Sequence, residues 1–384
     1  MRIADRIVNL PAYVFAEAGK TLADLKARGV DVINLGIGSP DLAPPQWIID
    51  TLYKAALDPT KHGYAGYYGL PVLRKATATY YARRFGVELD PDREVVILIG
   101  SKEGIFNVAL AFIDPGDVAL IPDPGYPTYA LGVQMAGGEP LPLPLLPERG
   151  FLPDLSAIPR DALRRAKLLW LNYPNNPTGA TAEMDFLAEA VAFAREHDLV
   201  LCYDNPYCDV TFDGYVAPSI LQVPGARDVV LEFNSLSKTY NMAGWRVGMA
   251  VGNAKAVDAL ARVKTNIDSG IFAPIQEAAA AALLADQAWL QERNAIYQAR
   301  RDVVMDFLPA VGMKAERPRA TLYVWARVPE GETSAAFSKR ILEASGVWLT
   351  PGTAFGAHGE GYVRISLTIP EERLREAGER LRRL

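Results

Sequence analysis

Six short apolar runs, at residues 95–99, 118–121, 168–171, 199–203, 229–233 and 247–251, recur through the middle of the chain, each passing into polar and Gly/Pro-rich residues. Helical patterns lie between several of them, including residues 184–197 and 254–264. Strands of a parallel sheet are buried on both faces, so they read as unbroken apolar runs, and they need long crossovers between them. The alternation predicts an α/β fold, a mainly parallel sheet with helices on both faces.

With 384 residues the chain is too long for one small core, and its composition changes after about Ala278. Residues 276–307, rich in Ala, Gln and Arg, read as one or two long helices. Beyond them lie candidate strands at 321–328 and 362–367 and helices at 334–345 and 371–384. We expect an N-terminal arm (1–45) packed on the small domain, a large domain (46–280) and a small α+β domain (281–384). The arm would hold a helix near 14–28 and a short run at 32–35.

Several classes of function drop out. The net charge is −5 with both signs mixed along the chain, so no basic stripe suggests nucleic acid. The longest apolar stretches, such as 278–285, are far short of the roughly 20 residues of a membrane span. Residues 1–15 hold no uninterrupted apolar run, so no signal peptide is expected. Cys202 and Cys208 are the only cysteines and read as reduced thiols of a cytoplasmic protein. His62, His197 and His358 lack metal-ligand spacing, so no metal is expected.

Open parallel sheets bind ligands just beyond the C-terminal ends of their strands, so unusual polar residues should cluster there. Run 95–99 ends in Gly100-Ser101-Lys102-Glu103-Gly104 and then a helical pattern, either a phosphate cradle or a plain capped turn. Run 118–121 leads to Tyr126 in a Pro-framed loop, placed to stack on a flat ring or to pack the loop. Run 168–171 leads to Asn172-Tyr173-Pro174-Asn175-Asn176-Pro177-Thr178-Gly179, where Asn176 offers an amide to a ring oxygen. Run 199–203 ends at Asp204, a carboxylate that needs a cation or donor if buried.

Run 229–233 ends in Asn234-Ser235-Leu236-Ser237-Lys238-Thr239-Tyr240, with Arg246 eight residues after the lysine. A lysine just past a buried strand, flanked by serines, fits a Schiff-base amine beside a phosphate clamp. Burial and a nearby cation lower such a lysine's pKa and raise its nucleophilicity. Arg246 has the fork geometry to grip a phosphate through two N–H groups.

Taken in order, these stretches resemble the fold-type I aminotransferases of class I/II, over nearly the whole chain. The resemblance implies pyridoxal 5′-phosphate held by Lys238 as a Schiff base, with Asp204 as partner of the pyridinium nitrogen. It implies Asn176 and Tyr207 on the cofactor's phenolic oxygen and Tyr126 stacked on its ring. Ser101, Lys102, Ser235 and Arg246 would bind the phosphate. Tyr64 would reach the phosphate of a neighbouring subunit, which implies a homodimer with shared active sites. Arg364 would pair with the substrate α-carboxylate and Gly38 would line that pocket. The substrates would be small amino acids and 2-oxo acids, in a ping-pong cycle.

The segments GSKEGIFNVALAF, PDPGYPTY, FNSLSKTYNMAGWRVGMAVGN and KTNIDSGIFAPIQ resemble the LL-diaminopimelate branch of that family. That branch implies nitrogen transfer between glutamate and tetrahydrodipicolinate, a step of lysine biosynthesis. One departure is Tyr67, where plant-type members carry a glutamate for the distal ammonium; Lys102 and Glu103 are alternative sources of polar contacts. The alternatives are an aminotransferase for alanine, aspartate or another common amino acid, or a C–S lyase, which would release pyruvate and ammonia without an acceptor.

Overall fold

The computed structural model describes residues 1–384 apart from Asn9, Ala12 and Tyr13, with backbone alone for Val14, Phe15 and Glu17. The part of the expected N-terminal arm at those three positions lies outside the described residues. The strands are β1 (Ile33–Asn34), β2 (Val95–Ile99), β3 (Val118–Asp123), β4 (Glu139–Pro144), β5 (Ala166–Asn172), β6 (Val200–Asp204), β7 (Val230–Ser235), β8 (Val247–Gly252), β9 (Tyr323–Arg327), β10 (Val347–Trp348), β11 (Thr350–Pro351) and β12 (Tyr362–Ser366).

The central sheet has seven strands in the order β2-β8-β7-β6-β5-β3-β4. Pairs along β7-β6-β5-β3-β4 are parallel, whereas β8 runs antiparallel to both β2 and β7. All six apolar runs are strands of this sheet, with ends shifted by at most two residues. Their side chains feed two cores, one on each face, and the helices close both. In the helix Met184–Glu196, Leu187, Ala190, Val191 and Ala194 are the buried stripe, at helical spacing.

The strand β4 was not among the apolar runs. Its sequence, Glu-Pro-Leu-Pro-Leu-Pro, reads as loop because proline cannot donate to a ladder. It is tolerated here because β4 is an edge strand, so alternate residues need no partner.

A second, three-stranded antiparallel sheet (β11-β12-β9) and the paired strands β1 and β10 surround a separate core. This core takes Ile33 and Leu35 from the N-terminal side and Val324, Phe337, Ile365 and Leu374 from the C-terminal side. The helical stretch expected at 276–307 is two helices, Ala273–Leu284 and Ala288–Phe307, parted at Ala285 where the backbone extends. Among the described residues no helix is long and apolar enough to cross a membrane.

Candidate active site

Only residues 236–246 join β7 to β8. A parallel return needs about a dozen residues or more, so β8 turns straight back beside β7. The reversal brings the start of β8 against the end of β2, with Val247 opposite Ile99. Arg246 and Gly100 thereby become neighbours, and Lys238 sits in the same link on the short helix Leu236–Thr239. Eleven of the twelve residues singled out above line one cavity of about 530 Å³. The twelfth, Tyr64, lies outside it and is 89% exposed.

One end of the cavity is built for an anion. Gly100, at φ 69°, starts the helix Ser101–Phe112, and a Cβ there would lie 2.1 Å from Nη2 of Arg246. Arg246 also has a left-handed backbone (φ 58°), which costs a non-glycine residue about 1–2 kcal/mol. Its Nη1 donates to the Ala243 carbonyl at 2.7 Å and meets Ser237 Oγ at 3.5 Å. Ser235 Oγ lies 2.9 Å from Ser237 Oγ. A guanidinium at a helix N-terminus opposes the helix dipole, and a bound phosphate would reverse that penalty.

The other end is built for a cation. Asp204 ends β6 and is buried; its Oδ2 accepts from the Tyr129 hydroxyl at 2.6 Å. Its Oδ1 is buried with no hydrogen-bond partner among the described residues. Burial pushes the carboxyl up to about 7, against the opposing pull of the Tyr129 hydrogen bond. A protonated pyridine nitrogen fits that orphaned oxygen as donor and counter-charge at once.

Lys238 Nζ donates to the Gly38 carbonyl at 2.7 Å. Burial holds its pKa below the usual lysine value, with Arg364 and Arg246 acting in the same direction. Arg364 is buried on β12, where its Nη1 donates to Asn176 Oδ1 (2.8 Å) and its Nη2 to the Gly36 carbonyl (2.7 Å). With the Asn176 oxygen engaged, its Nδ2 donors are the part suited to a ring oxygen. Tyr126 lines the cavity with its ring edge-on to Tyr129, at 5.7 Å between centroids.

Three residues of the site were missed. Ser237 and Tyr129 had weak local signals, one inside the SLSK segment and one three residues past Tyr126. Tyr323 had none, because on β9 it reads as one more core aromatic. Glu103, weighed above as a polar contact, does not line the cavity. It accepts from the Ile99 N–H (3.0 Å) and Asn107 (2.6 Å) and lies 3.7 Å from the buried Lys264, so it braces the start of its helix. A second cavity of about 550 Å³, lined in part by Arg319, Trp325 and Arg327, contains none of the twelve residues.

Residues 30–381 match the family described as aminotransferase class I and II. A protein named LL-diaminopimelate aminotransferase, from Moorella thermoacetica, is 53% identical over 384 residues, covering 100% of this chain and 98% of that one. Substrate-bound BacF from Bacillus subtilis superposes with a TM-score of 0.95 at 40% identity, covering 100% of this chain and 98% of that chain. Aspartate aminotransferase from Thermus thermophilus with maleate gives a TM-score of 0.92 at 32% identity, with both chains covered completely.

Proposed function

From the premise that this chain belongs to the class I and II aminotransferases, we propose that it uses pyridoxal 5′-phosphate to exchange nitrogen between LL-diaminopimelate/tetrahydrodipicolinate and glutamate/2-oxoglutarate. One observation carries the cofactor reading. A single cavity holds an orphaned carboxylate oxygen at Asp204, a strained arginine at a helix N-terminus, and a half-buried lysine.

When bound, the cofactor supplies an electron sink for the pair left by a broken Cα–H bond. Asp204 would keep the ring nitrogen protonated, and burial makes that charge pair strong. Ser101, Lys102, Ser235 and Arg246 would hold the phosphate, and Tyr126 would cover one face of the ring. Asn176 and Tyr207 would donate to the phenolic oxygen. Arg364 would fix the substrate α-carboxylate through two N–H groups, with Gly38 leaving room beside it. Lys238 Nζ, its pKa held below the usual lysine value by burial, would take the proton from the substrate Cα and later return it.

The substrate assignment rests on relatives at 50–55% identity that carry the LL-diaminopimelate name, as the Moorella protein does. A common-amino-acid aminotransferase is the second reading, favoured by Tyr67 at the position of the plant-type glutamate and by the likeness to aspartate aminotransferase. A homodimer is part of the proposal. Tyr64, Tyr67, Tyr68, Ile267 and Phe272 are exposed on two segments that touch, His62 against Phe272 and Gly66 beside Gly270. Such an aromatic face suits a second copy of the chain. The division into arm 1–45, large domain 46–280 and small domain 281–384 belongs to the same reading, supported by the separate cores. Cytoplasmic location is supported by Cys202 and Cys208, both buried and unbridged.

The test is a half-reaction screen. Cofactor-loaded protein is mixed with single amino acids, and conversion to the amine form of the cofactor is followed by absorbance. LL-diaminopimelate and glutamate should convert it and alanine should not. Rapid conversion by alanine or aspartate with none by LL-diaminopimelate would overturn the substrate assignment.

A further inference from the structure

Tyr323 stands on β9, at the meeting point of three groups given roles above. Its hydroxyl is 3.1 Å from the Tyr207 hydroxyl, and its ring meets the Tyr207 ring edge-on at 5.7 Å. The Arg364 guanidinium lies over the Tyr323 ring, 4.1 Å from its centroid. A Cβ at Gly38 would come within 2.0 Å of the Tyr323 oxygen, so residue 38 leaves space for this hydroxyl. Tyr323 is buried and lines the cavity.

We propose that Tyr323 is a positioning residue acting through Tyr207: its hydroxyl donates to the Tyr207 oxygen, so that the Tyr207 proton is directed to the ligand oxygen in the cavity. A phenol that accepts one hydrogen bond becomes a better donor of its own, so the pair works as a two-step relay. The direction of donation follows from the surroundings. The groups facing Tyr323 are Tyr207, Lys238 and Arg364. Burial raises the pKa of Tyr323, but Arg364, Lys238 and the Tyr207 hydrogen bond together outweigh it and leave Tyr323 the more acidic phenol. Tyr207 is driven the other way, by burial first and then by Tyr323. The more acidic hydroxyl is the better donor and the less acidic one the better acceptor. This inference rests on the proposed cofactor reading, in which Tyr207 faces the phenolic oxygen.

The experiment is a pH titration of the absorbance of the protein loaded with pyridoxal 5′-phosphate. The phenolic oxygen bears most negative charge in the high-pH form, so a weakened donor destabilises that form and moves the midpoint up. Tyr323→Phe should raise the midpoint by about half to one pH unit, the size expected for one hydrogen bond in a relay. Tyr207→Phe should raise it further, and the double variant should match Tyr207→Phe alone, because the relay is already cut. An unmoved midpoint in Tyr323→Phe, or a Tyr323→Phe shift that persists in full beside Tyr207→Phe, overturns the relay. If the unaltered protein shows no titrating band, the cofactor reading falls first and the relay with it. A band that titrates normally but ignores Tyr323→Phe sinks the relay alone.

Discussion

Asp204 shows how burial alone reshapes the chemistry of one side chain. Without a cation its carboxyl is held at about 7, far above its ordinary 3.8, because burial disfavours the charged form. A raised carboxyl pKa means that the folded chain binds more protons than the unfolded one between those two values. The cofactor-free protein therefore has this contribution in full below about pH 4 and loses it as pH rises through about 7, by at most about 4 kcal/mol. Asp204→Asn removes the charge. In urea melts of the cofactor-free protein it should be the more stable variant at pH 8, with the advantage gone by pH 4. A pH-independent difference would show that Asp204 is not the titrating group. Residues such as Asp204 and Lys238 were legible in the chain because a charge at the end of an apolar run is unusual wherever it falls. Tyr323 was not, since an aromatic in the segment Thr-Leu-Tyr-Val-Trp satisfies the core pattern as well as any other.

Among the elements, the strands with ordinary chemistry were readable and those with an exceptional position were not. The apolar runs at β5, β6 and β7 announce burial on both faces, and the helix Ser334–Ser345 is bounded by its Thr333 cap and left-handed Gly346. The prolines of β4 make sense only once that strand is known to lie at an edge. The direction of β8 depends on the short link that carries Lys238. That link has an outside brace. From the helix Ala288–Phe307, the buried Arg293 donates to the carbonyls of Lys238, Thr239 (3.0 Å) and Asp209 (2.7 Å). Arg293→Met should destabilise the chain by about 2 kcal/mol or more, because it strands the desolvated Lys238 and Thr239 carbonyls, while Asn294 Nδ2 still donates to the Asp209 carbonyl at 3.0 Å. Chemical denaturation measures this directly, and a loss below about 1 kcal/mol would mean that water or a neighbour replaces the guanidinium.

At the scale of the whole molecule, the cavity lies where the C-terminal ends of the parallel strands meet the second core: Lys238, Asp204 and Asn176 come from one side, Arg364 and Tyr323 from the other. Tyr64 is the expected site residue that a single chain leaves outside. On the homodimer reading its hydroxyl reaches the phosphate in a second copy. Sedimentation should then show a two-chain species for both the unaltered protein and Tyr64→Phe, while Tyr64→Phe weakens cofactor binding about tenfold, as loss of one hydrogen bond to a charged group would. Unchanged affinity in Tyr64→Phe would place the tyrosine away from the phosphate. Periodicity and motif order in the chain were enough for the sheet, the strand ends where its cavity opens and most of the cavity lining, because burial on two faces and polar groups at strand ends are local properties of a sequence. The pairing of Tyr323 with Tyr207, the clamp of Arg293 on Lys238 and the seat of Arg246 on Gly100 join residues 116, 55 and 146 positions apart. Such contacts exist only after the strands have taken their order and direction, and no short stretch of residues encodes that order.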